Sequence, residues 1–225
     1  MRQPLVQIVD GAVPRALFLR ARRKLQQVGS AATYWKTFWF PWGEPTNVVE
    51  ELALALRVHL PAPADAIIGA EWWIGRMRAT NVPLDFHHDR DLELFEQTGR
   101  LRHPRWSSVL FFNRVRGGSL FITDQRLVRR GQGYRLSPGE PEQFATARPD
   151  ANRFALFPGD RLHGVLDAND EVPHGRLRGP PGRVRLSLVF NWWEAAPRGV
   201  RPWAESRSYR ALRSANGKAR PSSLP

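Results

Sequence analysis

Between residues 70 and 194 the chain is a succession of short apolar runs cut by turn residues, and this texture limits the possible folds more than any other feature. The runs are Glu71–Arg78, Leu84–His88, Ser107–Asn113, Ser119–Thr123, Arg153–Phe157, Leu162–Leu166 and Val184–Trp193. Gly117-Gly118, Pro158-Gly159-Asp160 and Gly179-Pro180-Pro181-Gly182 separate them, as turns separate strands. Many short strands following a helical N-terminal part predict a mainly β protein, a jelly-roll barrel buttressed by helices.

The helices are expected before residue 70. Pro14 to Val28 interleaves Leu17, Leu19 and Leu25 with basic residues, and Gly29 is a stop signal. Thr46 is the expected cap of a second helix reaching about Leu60, with Glu50 and Glu51 early and Arg57 late, as the helix dipole favours. Pro61-Ala62-Pro63 breaks it. Tyr34 to Trp42 forms an aromatic cluster. The expected organisation is a helical and aromatic support region over 1–69, a barrel over 70–194 and a basic, loosely ordered tail over 195–225. Asp124 to Asp150 and Asp167 to Gly182 read as irregular polar loops, of the kind that serve as lids or substrate-binding loops.

Composition sets outer bounds. Without cysteine the chain forms no disulfide, Fe–S cluster or thiolate zinc site, so a metal must be held by His, Asp or Glu. Pro4 to Val9 is too short and polar for a signal peptide, and no apolar run approaches spanning length. A cytoplasmic protein without a membrane partner is expected. The net charge is +13, carried almost wholly by arginine, since lysine occurs only at 24, 36 and 218. An excess of this kind is either a solvated surface and tail or a site for a polyanion.

The chemistry lies in three of the runs. His87 and Asp89, two residues apart in an extended segment, point to one face. His163 arrives from a later apolar strand. Two histidines and one carboxylate form a facial triad that leaves positions open on a ferrous ion. Taken alone, His163 also fits a core histidine bonded to a neighbouring backbone group. On Val184 to Phe190, Arg185 and Ser187 share one face of an apolar strand. A buried arginine needs an anion, either an internal carboxylate or a bound one held by its planar fork. His88 points away from His87, and a strand irregularity would instead pair His88 with Asp91 in poorer geometry. His59, His103 and His174 read as surface residues of helix ends or loops. Trp35, Trp39, Trp42, Trp72, Trp73 and Trp106 are either core or the wall of an aromatic cleft, core being the commoner use.

The ordered trio of His87-x-Asp89, His163 and Arg185-x-Ser187, with Ser107 to Asn113 followed by Gly117-Gly118, resembles the Fe(II)/2-oxoglutarate-dependent dioxygenases on their prolyl-4-hydroxylase-like side. The resemblance spans roughly Glu71 to Glu194 and implies a double-stranded β-helix (jelly-roll, cupin-like) core. It further implies that His87, Asp89 and His163 hold Fe(II) and that Arg185 and Ser187 bind the distal carboxylate of 2-oxoglutarate. The reaction implied is hydroxylation with O2. Relatives often carry a Tyr where this chain has Phe111, and the interval from His163 to Arg185 is lengthened by Asp167 to Gly182. Asp89 argues against the halogenases, in which a small residue makes room for halide. The strand beyond Arg185-x-Ser187 has no second Arg of the type found in nucleic-acid demethylases. The expected substrate is therefore amino-acid-derived, either a small molecule or a residue in a peptide or protein. The rival expectation is a non-enzymatic, Arg-rich nucleic-acid-binding protein on a degenerate jelly-roll.

Overall fold

A computed structural model describes residues 4–32, 36–78, 86–172 and 184–213. Its strands are β1 (Gln7–Asp10), β2 (Phe38–Pro41), β3 (Gly69–Arg78), β4 (Trp106–Phe111), β5 (Leu120–Thr123), β6 (Arg126–Arg130), β7 (Gly133–Ser137), β8 (Phe144–Ala147), β9 (Arg153–Pro158), β10 (His163–Val165) and β11 (Val184–Trp193). The α-helices among the described residues are α1 (Arg15–Val28), α2 (Val48–Leu56) and α3 (Leu92–Thr98). The fold is the expected mainly β jelly-roll with N-terminal helices. No helix among the described residues is long and apolar enough to cross a membrane.

A six-stranded antiparallel sheet runs β1-β9-β4-β11-β3-β2, and a three-stranded sheet runs β10-β5-β8. The strands of the large sheet are apolar on both faces because each face is covered. Ile74, Leu110, Leu188, Phe190 and Trp192 pack against Phe18 and Leu25 of α1 and Leu52 and Leu56 of α2. The alternate residues, Val109, Phe111, Ala155 and Phe157, meet Leu120, Ile122 and Ala147 of the small sheet and fill the barrel. Of the candidate site residues, Arg185 and Ser187 lie on this second, inner face, and His163 comes from the small sheet opposite.

Several local expectations change. Asn47, one residue beyond Thr46, caps α2: its Oδ1 accepts from the Val49 and Glu50 amides at 2.8 and 3.1 Å. Thr46 instead donates through its amide and hydroxyl to Glu50 Oε2. The stretch 124–150 is not irregular; β6 and β7 form a hairpin and β8 joins the small sheet. Asp91 caps a helix that the sequence reading left out, α3, which ends on left-handed Gly99. Residues 195–213, expected as the start of a loose tail, are built into the core through Trp203, Tyr209 and Leu212. Residues 214–225 lie outside the described part, as do Trp35, Leu84, Asp85, His174 and Gly179 to Gly182.

Candidate metal centre

The segment carrying His87 adds to the edge of the small sheet by a single bridge. His87 N–H donates to His163 O at 2.9 Å and His163 N–H returns the bond to His87 O at 3.0 Å. Of the expected strand Leu84–His88, this bridge is the part that falls within the described residues. Gly164 permits the approach, since Phe86 lies flat where a side chain at 164 would stand. The bridge sets the two imidazoles side by side, ring centres 4.5 Å apart.

Asp89 comes between them. Its Oδ1 is 3.7 Å from His87 Nε2 and its Oδ2 3.4 Å from His163 Nε2. Among the described residues these three form the one cluster able to offer three ligand atoms to a metal. His163 Nδ1 donates to Arg161 O at 2.9 Å, which fixes the tautomer and leaves the Nε2 lone pair for a ligand. Burial lowers the pKa of His163, against the pull of Asp89, so the ring is held neutral as a metal ligand requires.

Asp89 is the most tightly held of the three. Ser107 Oγ donates to its Oδ2 at 2.7 Å, and the Asn191 side chain hydrogen-bonds it as well. His103 Nδ1 donates to its main-chain carbonyl. Burial works to raise the carboxyl pKa, but the two imidazoles and the Ser107 and Asn191 bonds outweigh it and hold the group ionised. Ser107 and Asn191 face each other across β4 and β11, and Asn191 faces Glu71 across β11 and β3. Glu71 also receives Trp193 Nε1–H at 3.2 Å. Burial first, and the charge of Asp89 second, push its pKa up to about 7. Sequence reading missed Ser107, Asn191 and Glu71 as a polar row crossing three strands.

The competing ligand pair is not formed. Asp91 is committed elsewhere: it accepts from Leu94 N–H and Arg198 N–H and pairs with Arg102. His88 turns to the other side, where its ring centre lies 6.0 Å from that of His103. Burial and the neighbouring imidazoles push the His88 pKa down to about 4. His59 and His103, expected on the surface, are both part-buried and bonded to main-chain carbonyls, His59 to Ala12 O.

At the other end of β11, Arg185 is 2% exposed and Ser187 fully buried. The Arg185 guanidinium donates to Ser187 Oγ at 3.2 Å and lies 4.9 Å from the centre of the Phe111 ring. Phe111 faces Ser187 across the strand pair and offers an aromatic face to the arginine. Arg185, Ser187, Val189 and Asn191 alternate onto the inner face. Ser187 and Asn191 are four residues apart, about 13 Å along the strand. Of the tryptophans, Trp39, Trp72, Trp192, Trp193 and Trp203 are core, while Trp73 is half-buried on the inner face. The loop after β10 is drawn to Gly117-Gly118, where Gly118 N–H donates to Asp167 O at 2.8 Å. A side chain at Gly117 would meet that backbone.

No family model matches the chain, and no curated protein matches it. Among solved structures, a prolyl-4-hydroxylase from Pseudomonas putida aligns over 85% of this chain and 94% of its own, with a TM-score of 0.53 and 16% identity. The non-haem α-ketoglutarate-dependent epimerase SnoN of nogalamycin biosynthesis aligns over 83% and 78%, at 0.49 and 13%. HygX from Streptomyces hygroscopicus, with nickel and 2-oxoglutarate bound, aligns over 92% and 89%, at 0.45 and 16%. The fold is that of the Fe(II)/2-oxoglutarate oxygenases.

Proposed function

We propose that this protein is an Fe(II)- and 2-oxoglutarate-dependent oxygenase that hydroxylates an amino-acid-derived substrate, with residues 70–194 as its catalytic core. One observation carries the reading. The His87, Asp89 and His163 cluster touches β11 through Asn191, and the buried Arg185–Ser187 pair lies on the same face of that strand, with Ser187 about 13 Å along it from Asn191. The donor set suits the ion: two imidazoles and one carboxylate on one side fit a divalent first-row metal with open positions.

His87, Asp89 and His163 would hold the iron. Arg185 and Ser187 would bind the far carboxylate of 2-oxoglutarate, the guanidinium by its planar fork and Ser187 by its hydroxyl. With O2, the bound pair supplies oxidative decarboxylation to succinate and carbon dioxide and oxidation of a substrate C–H bond. Ser107 and Asn191 orient the Asp89 carboxylate, and Arg161 O orients His163. Phe111, Phe157 and Val109 line the barrel with apolar surface that excludes water.

The test is an anaerobic titration of metal-free protein with Fe(II) and then 2-oxoglutarate, following the visible charge-transfer band of the chelate. The band is expected with wild type and absent with His163→Ala. With Arg185→Ala it should require roughly tenfold or more 2-oxoglutarate, the loss of a charge-assisted contact. Folded, iron-loaded protein that gives no band overturns the proposal.

A further inference from the structure

The hairpin of β6 and β7 has no role in the chemistry proposed above. Its strands pair with each other and join neither larger sheet. From Arg126 to Arg135 it carries Arg126, Arg129, Arg130 and Arg135 and no acid. The register sorts them: Arg126, Val128 and Arg130 lie opposite Ser137, Arg135 and Gly133, so three arginines share one face. The other face leans on α3. There the Tyr134 hydroxyl donates to Gly99 O at 3.3 Å and accepts from Leu101 N–H at 3.1 Å, and its ring meets Phe95.

The three-arginine face is exposed. Arg126 reaches Asp160 at 3.8 Å in an open surface pair, and Arg130 and Arg135 make no ion pair among the described residues. The hairpin stands at the metal end of the barrel. Leu162, next to His163, exchanges backbone bonds with Thr123 and Gln125, both at 2.9 Å, immediately before β6. Gln125 Nε2 donates to Pro138 O and Gly139 O, pinning the far end of β7 to the same place.

Along the hairpin axis Arg126, Arg135 (opposite Val128) and Arg130 follow one another at two-residue steps. Along the axis each step is about 6.8 Å, the interval between alternate side chains of an extended peptide, with Arg135 displaced sideways by one strand spacing of about 4.8 Å. We propose that this face docks an extended acidic peptide segment, with carboxylates at alternate positions, and so presents a neighbouring residue to the metal site. The inference rests on the oxygenase reading for its purpose, though not for the binding itself. A single-stranded nucleic acid would look for stacking surfaces, and this face has none, because Tyr134 is turned to α3 and its hydroxyl is committed. Charged residues also protect free strand edges from aggregation, but that role does not require one sign at a regular step on one face.

The experiment uses the full-length, metal-free chain and three fluorescent probes: an alternating Glu-Ser decapeptide, its Lys-Ser counterpart and a single-stranded DNA decamer. Anisotropy is read at low and at physiological salt. The Glu-Ser peptide should bind. In R130E/R135E its affinity should fall on the order of tenfold, and the Lys-Ser peptide should gain binding. R22E, on the distant α1, should leave both unchanged. No Glu-Ser binding by wild type, equal loss in R22E, or tighter binding of the DNA overturns the proposal. The iron and 2-oxoglutarate band, measured in R130E/R135E, keeps the two readings apart. Its retention beside lost peptide binding supports docking by this face; peptide binding by a wild type that gives no band removes the oxygenase and leaves the docking.

Discussion

Asp89 is where the order of the site converges. Its carboxylate touches both imidazoles and is held by Ser107 and Asn191, while its main chain is anchored by His103. Behind Asn191 stands Glu71, with a pKa pushed up to about 7 by burial and by the charge of Asp89. The folded protein therefore keeps a proton on Glu71 that the unfolded chain has released, from about pH 4.5 upward. In that window stability falls as pH rises, and above about pH 7 the whole cost of the buried charge is present. Glu71→Gln removes the cost while keeping an acceptor for Trp193. In metal-free protein it should raise stability at pH 8 by on the order of 2–3 kcal/mol and leave it unchanged at pH 4. Urea unfolding at the two pH values checks this; equal effects at both would show that Glu71 is ionised throughout. The pairing of His87 with Asp89 was legible in the sequence because the two-residue period alone places them together. Glu71 and Asn191 were not, because each sits within an apolar run and their juxtaposition depends on strand register.

Among the elements, the bridge between the His87 segment and β10 positions two candidate ligands with two backbone bonds. It depends on Gly164. A Cβ there would stand 3.0 Å from Phe86 Cγ and 3.1 Å from both Cδ atoms, and Phe86 adjoins His87. Gly164→Ala must push Phe86 aside and His87 with it. A stability loss of about 1–3 kcal/mol is expected, together with roughly tenfold weaker metal binding. Thermal melts and a metal titration read the two effects, and Phe86→Leu in the same chain should restore both. Metal affinity unchanged in Gly164→Ala would uncouple Phe86 from the site. Elements with plain alternation or strong caps were readable, as α1 and β11 show. The β6–β7 hairpin was hidden because arginines occupy the outward positions of a ribbon with little core to face. Its signal was the Gly131-Gln132-Gly133 turn, with Gly131 at φ +58°. The α2 cap was misplaced by one residue because Thr46 and Asn47 are both good caps, and only the bonds to Val49 and Glu50 separate them.

At the scale of the whole molecule, charge alone conceals that part of the basic C-terminal stretch is packed into the core. Residues 195–213 close the outer side of the large sheet. Trp203 is buried with its Nε1–H donating to Ser208 O at 3.0 Å, Tyr209 meets the Phe38 ring edge-on, and Leu212 is fully buried. Trp39 N–H donates to Arg201 O at 2.9 Å, and Lys24 Nζ reaches Arg213 O at 2.7 Å, so β2 and α1 are both tied to this stretch. The sequence concealed this because three large apolar residues are spread among Arg, Ser and Pro without a helical or strand period. Removal of such a residue from a packed core costs about 3–5 kcal/mol. Trp203→Ala should therefore lower the melting temperature by roughly 6–20 °C in a chain of this size. Truncation after Glu194 should prevent folding altogether, and Leu212→Ala should lower the melting temperature as Trp203→Ala does. Differential scanning calorimetry of the three variants decides the point. If the basic charge were what mattered, Trp203→Ala, which leaves every arginine in place, would melt with the wild type. Packing predicts the reverse, and the same result would make residues 195–213 part of the scaffold that holds β2 and β3, and with them Glu71, behind the His87, Asp89 and His163 cluster.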